Sequence, residues 1–197
     1  MTRALVVAFA VMASTPAIAL ADEAPGRFAA ASLGASVNPS LGHATRKPPA
    51  LLTVAPELQL SWGIQLGGQW LLMTRLDMLG AMIPLGPAGY GIDLGVAWVP
   101  RLTSGGWGPL VRFTGGGLLF ASGGEALGPD YQASGFRLAM DAGIVHSEVV
   151  GRTVFVWGLI AGGHATGMMN IEPCSSGDDC SDVFIGPTLR AEAALLF

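Results

Sequence analysis

Along much of this chain apolar residues recur at every second position over stretches of strand length, a rhythm that commits the backbone to extended strands whose two faces meet different surroundings. Phe136, Leu138, Met140, Ala142 and Ile144 fall on one face of such a stretch, with Arg137, Ala139, Asp141 and Gly143 on the other. The same period sets Leu58, Leu60, Trp62, Ile64 and Leu66 against Glu57, Gln59, Ser61, Gly63 and Gln65. It sets Tyr90, Ile92, Leu94, Val96 and Trp98 against Gly91, Asp93, Gly95 and Ala97. Near the end, Ile185, Leu189, Ala191, Ala193, Leu195 and Phe197 oppose Gly186, Thr188, Arg190 and Glu192.

Weaker segments over 27–38, 69–78, 107–121 and 152–167 complete a set of about eight strands, each long enough to cross a bilayer when tilted. Clusters of Gly, Pro, Ser, Asn and Asp separate them, and the connections alternate in length. Residues 39–54, 80–89, 122–133 and 168–182 make the longer ones, while Gly67-Gly68, 101–106 and 149–151 make the shorter. Long outer loops alternating with short periplasmic turns are the habit of bacterial membrane barrels.

Two other folds compete. A helical bundle would need segments such as Thr153–Met169 to be helices, yet that one carries Gly158, Gly162, Gly163 and His164 and is rich in β-branched and aromatic residues. Helices over 71–99 would also bring Arg75, Asp77 and Asp93 into hydrocarbon, at a few kcal/mol each. A secreted β-sandwich also alternates, but its outer face would be rich in Lys, Thr, Ser and Glu. Here the less apolar face is mostly Gly, Ala and a few opposite charges, which suits a crowded lumen. Charged residues make up only 12% of the chain, and the mean hydropathy is +0.52. With one lysine, Lys47, and a formal net charge of -4, the chain lacks the basic footprint of a nucleic-acid binder.

The N-terminus predicts export. Arg3 provides a positive start, 4–13 an apolar run, and Ala19-Leu20-Ala21 a cleavage site before Asp22, so residues 1–21 read as a signal peptide and 22–197 as one barrel domain. As an uncleaved anchor the run is too short to span about 30 Å as a helix, and Pro16 breaks any helical continuation beyond it. Cys174 and Cys180, close together in a polar segment, are expected to close a small loop by a disulfide in an oxidising compartment.

Phe197 ends the chain, with Leu195, Ala193 and Ala191 before it at alternate positions. This resembles the C-terminal signature read by the outer-membrane barrel assembly machinery. With the export signal and the strand count, the architecture is similar to small eight-stranded outer-membrane proteins of the OmpA, OmpX and OmpW kind. That resemblance implies a Gram-negative outer membrane, with loops outside and termini in the periplasm, and outer-membrane lipids and lipopolysaccharide as surroundings.

The strand phases place nine charges in the lumen: Glu57, Arg75, Asp77, Asp93, Arg112, Arg137, Asp141, Arg190 and Glu192. An eight-stranded barrel is just wide enough for side chains to fill, so these charges are expected to pair across it as a polar plug. Trp62, Trp70, Trp98, Trp107, Trp157 and Tyr90 read as interface girdle residues. Glu172, Asp178, Asp179 and Asp182 gather near the cysteines without the spacing of a calcium loop, and read as a solvated acidic loop. On another outer loop His43, Arg46 and Lys47 meet lipopolysaccharide phosphates or water.

Catalysis finds little support. His146, Ser147 and Glu148 are consecutive, so alternation sends them to different faces and not into a triad. Gly34-Ala35-Ser36-Val37-Asn38 lacks the last glycine of a nucleophile elbow. No zinc, haem or phosphate-binding spacing is present, so no cofactor is implied. The expected role is envelope-structural or surface-interacting through the outer loops. A narrow pore or carrier for small hydrophobic compounds is the alternative, and a lipid A-modifying enzyme comes third.

Overall fold

Strands with one greasy face cannot stay open in lipid, because every edge N–H and C=O would go unpaired; closing the sheet on itself removes the edges. The computed structural model describes residues 26–37, 54–67, 69–79, 89–102, 104–122, 131–170 and 181–197. It has eight antiparallel strands: β1 (Arg27–Val37), β2 (Val54–Gly67), β3 (Trp70–Leu79), β4 (Gly89–Trp98), β5 (Gly106–Ser122), β6 (Tyr131–Val150), β7 (Thr153–Asn170) and β8 (Ser181–Leu196). Each pairs with its sequence neighbours, and β1 pairs with β8 from Phe28↔Leu196 to Ser36↔Thr188, which closes the barrel. The segment Thr153–Asn170 is a strand throughout, so the helical alternative falls.

The two ends differ. At one end lie the connections 38–53, 80–88, 123–130 and 171–180, all outside the described residues. At the other end the turns are short, and the termini of the described barrel meet there: Arg27 and Phe197 exchange two backbone hydrogen bonds of 2.8 Å. Gly151-Arg152 joins β6 to β7, with φ +62° at Gly151, and among the described residues only glycines have positive φ. A two-residue hairpin with glycine in that first position is of the II′ kind, whose twist matches that of the strands. Between β2 and β3 the register slips at Gln65/Gly67, a bulge beside the turn. Gln69 holds that turn to the next one: its carbonyl accepts from the Val99 N–H at 2.8 Å, and its side chain accepts from the Trp98 indole at 3.1 Å.

Side chains take turns between the two faces as the sequence period requires. Leu33, Ile92, Leu94, Ile144, Leu159 and Leu189 point outward at 62–66% exposure, on five different strands. Their immediate neighbours Ser32, Asp93, Val145, Ile160 and Arg190 are buried. The strands β5 to β8 run longer than β1 to β4, and β6 begins at Tyr131, several residues before its clear alternation starts.

Candidate functional site

The lumen is layered along the barrel axis. At the turn end, side chains from the starts of β1, β3, β5 and β7, the ends of β4, β6 and β8 and the turn after β4 form an apolar cluster that includes Phe28, Leu71, Met73, Val99, Val156 and Ile160. At the loop end Leu79, Leu118, Phe120, Ala133, Met168 and Phe184 form a second. The charged side chains sit between the two. The polar plug expected from the strand phases therefore occupies only the middle of the lumen, with apolar packing above and below. A small barrel has too little room for water beside its inward side chains, so apolar ones fill its ends at no polar cost.

All nine charges named from the sequence point inward, and ion pairs join them into one network. Arg75 reaches Asp77 at 3.1 Å, Asp93 at 2.5 Å and Asp141 at 3.6 Å. Arg137 bonds Asp77 and also Asp93, the latter at 2.9 Å. Arg112 donates to Asp141 at 2.9 Å and to Glu192 at 2.7 Å. Arg190 donates to Asp141 and, at 3.4 Å, to Glu57. Asp141 is thus the hub, touched by three guanidinium groups from β3, β5 and β8.

Neutral side chains extend the network. Thr114 accepts from Arg75 at 2.8 Å and Thr188 from Arg190 at 3.2 Å; Gln59 donates to Glu57 at 3.3 Å and accepts from Ser32 at 3.1 Å. The planar five-donor fork of arginine suits this role, since one guanidinium can serve two carboxylates on different strands. Inward glycines make the room. A Cβ on Gly116 would lie 2.6 Å from Asp93 Oδ1, and one on Gly162 2.2 Å from Asp141 Oδ1.

Sequence reasoning missed His164, which is buried at 6% exposure and borders the loop-end side of the charged layer with Thr166. The phase of β7 carries the signal, because Val154, Val156, Ile160, His164, Thr166 and Met168 all share the inward parity. The outward positions of that strand are apolar as well, so no contrast marked the face.

On the outer surface Trp62, Trp70, Trp98, Trp107 and Trp157 all lie in the turn-end half of their strands, while Tyr90 lies at the loop end. Trp107 and Trp157 pack edge to face with centroids 5.1 Å apart, and His146 lies 5.1 Å from the first and 5.5 Å from the second. Ser147 points into the barrel at 1% exposure, and Glu148 is exposed outside. The three consecutive residues do not converge on a common point. Among the described residues no group of three or more His, Cys, Asp or Glu is placed to hold a metal ion, and no helix is long and apolar enough to cross a membrane.

Several sequence expectations lie outside the described residues: the signal peptide 1–21, the Cys174–Cys180 disulfide, the acidic positions Glu172, Asp178 and Asp179, and the basic positions His43, Arg46 and Lys47.

No protein-family model matches the chain, and no curated protein matches it. A solved structure to which it is similar is the outer membrane protein OprG from Pseudomonas aeruginosa, at 14% sequence identity and a TM-score of 0.48, covering 88% of this chain and 97% of that one.

Proposed function

We propose that this chain is an outer-membrane barrel whose lumen is plugged, and which serves the cell envelope by holding its four longer connections at the outer surface. Two observations support the membrane. The barrel's outside is a continuous apolar band spread over all the strands, far larger than the few hundred Å² of contiguous apolar surface that a soluble monomer tolerates. Its tryptophans gather in the turn-end half of that band, and amphipathic rings favour the headgroup boundary. Lipid acyl chains and lipopolysaccharide cover this face, the assembly machinery of the outer membrane inserts it, and the short turns and both termini of the barrel face the periplasm.

The observation that carries the role is the layered lumen. A conducting pore needs a continuous wet path, whereas here a buried ion-pair network is packed between two apolar layers. What remains to vary is the set of outer connections, and loops set on a rigid scaffold are where interaction surfaces reside. Planar-bilayer recording tests the reading: purified barrel should give no steady conductance step. A reproducible step would replace the plugged scaffold with the narrow-pore alternative. Lipid A from cells with and without the protein should show the same acyl pattern by mass spectrometry, and a changed pattern would make it an enzyme.

A further inference from the structure

The hairpin of β6 and β7 carries two opposite charges that the barrel itself does not use. Glu148, near the end of β6, and Arg152, in the turn that follows, are both exposed. Neither makes an ion pair with the other or with any described residue. Arg101, in the turn before β5, lies on the other side of the wall. Its stem crosses the inward side of Gly108, 3.0–3.4 Å from where a Cβ would stand, and Trp107 points outward beside it. The outer face at this hairpin therefore presents one anion and one cation.

What lies beside them is ordered. The register sets Trp107, His146 and Trp157 in one row across β5, β6 and β7, with ring centroids 5.1–5.5 Å apart. One outward step toward the middle of the barrel, Pro109, Ile144 and Leu159 form an exposed apolar row. One outward step toward the turn stands Glu148, opposite Phe155, and Arg152 lies beyond it. Gly105 and Gly106 lead into β5 on that side and bring no side chain over Glu148. Charges, amphipathic rings and apolar side chains thus follow one another from the turn inward, which is the order of headgroup, ester level and acyl chain in a phospholipid.

Resting on the membrane reading above, we propose that this patch binds one aminophospholipid, a diacyl lipid of the phosphatidylethanolamine kind whose headgroup carries both a phosphate and a primary ammonium. The ammonium sits at Glu148, the phosphate at Arg152, and the first methylenes of a chain lie on Ile144 and Leu159. A primary ammonium offers three N–H donors to a carboxylate that only accepts, and the guanidinium fork matches phosphate oxygens. Phosphatidylglycerol would satisfy Arg152 but bring no cation to Glu148. Phosphatidylcholine has the cation without an N–H to donate.

The test measures which lipid stands next to Trp107 and Trp157. The full barrel, with Trp62, Trp70 and Trp98 changed to phenylalanine, is folded into phosphatidylcholine vesicles. Each vesicle preparation holds the same small mole fraction of phosphatidylethanolamine, phosphatidylglycerol or phosphatidylcholine brominated near the glycerol. Quenching should show the ethanolamine lipid enriched over the other two by about two- to fivefold, the scale of an exposed ion pair. E148Q should abolish the enrichment while the barrel stays folded on an unboiled gel. A variant that keeps only Trp70 and Trp98, whose strand ends carry no acidic residue, should show none. Equal quenching by the three lipids, a preference for phosphatidylglycerol, or an enrichment that survives E148Q would overturn the site and leave the barrel in its membrane. No quenching by any of them would remove the membrane reading itself, and the site with it.

Discussion

Replacing Arg190 by methionine is the perturbation that probes the charged layer most sharply. Methionine keeps the buried apolar stem and removes only the guanidinium, so little cavity is left and the loss is electrostatic. Arg190 holds Glu57 at 3.4 Å and also bonds Asp141. A pair at that first distance is worth about 5 kcal/mol gross at an effective dielectric near 20, before desolvation is set against it. Desolvating the arginine offsets part of that, but its removal leaves Glu57 buried without any guanidinium partner, while Asp141 keeps Arg112 at 2.9 Å and Arg75 at 3.6 Å. The net cost should be about 3–5 kcal/mol, the usual penalty for stranding one member of a buried pair. The double variant E57Q/R190M removes the stranded carboxylate as well, so it should recover at least about 1 kcal/mol of the loss, within the range of coupling between contacting residues. Urea unfolding in lipid vesicles, read by tryptophan emission and checked by heat-modifiability on gels, supplies the numbers. If R190M stays within about 0.5 kcal/mol of the parent, the level of an inconsequential surface change, or if the double variant recovers nothing, the ion pairs do not hold the barrel as described.

Glycines that face the charged layer should tolerate no methyl group. G116A and G162A should each lower the folded fraction, by about 1–3 kcal/mol of overpacking, because the new methyl would meet Asp93 or Asp141; G117A and G167A, with nothing within 4 Å of the added carbon, should fold as the parent does. L94R places a charge on the outer apolar face midway along β4 and should cost about 2–4 kcal/mol of folding into vesicles, whereas in a soluble barrel with that face wet it would stay within about 0.5 kcal/mol of the parent. Tryptophan emission should be quenched more by lipids brominated near the headgroup than by lipids brominated at the chain ends, since all five indoles sit in the turn-end half of the barrel; equal quenching by both would remove the girdle.

Much of the barrel was legible because the alternating stretches of β2, β4, β6 and β8 carry their charged side chains on one face only. Leu138 beside Arg137, or Leu94 beside Asp93, separates the apolar face from the lumen face in the sequence alone. The lumen charges were legible for the same reason. Their partners were not, because Arg112 meets Glu192 from β5 to β8 across the barrel, and that meeting depends on strand tilt and stagger that no local pattern encodes. The two apolar layers were also hidden. Trp70-Leu71-Leu72-Met73 and Val154-Phe155-Val156-Trp157 are greasy on both faces, so inward Leu71, Met73 and Val156 look no different from their outward neighbours. The same lack of contrast lent β7 its passing likeness to a helix. At the start of β6 the segment Tyr131-Gln132-Ala133-Ser134-Gly135 has no alternation to read, and its strand state comes from pairing with β5 and β7.

The most direct test is a nitroxide scan of residues 136–144 on β6 in lipid vesicles, in a background with Cys174 and Cys180 changed to alanine. Oxygen dissolved in the bilayer should reach labels at Phe136, Leu138, Met140 and Ile144, and neither oxygen nor a water-soluble nickel chelate should reach those at Arg137, Asp141 and Gly143. Nickel access at the first set, or the loss of a period of two between the sets, would contradict a barrel with lipid outside and packed side chains within.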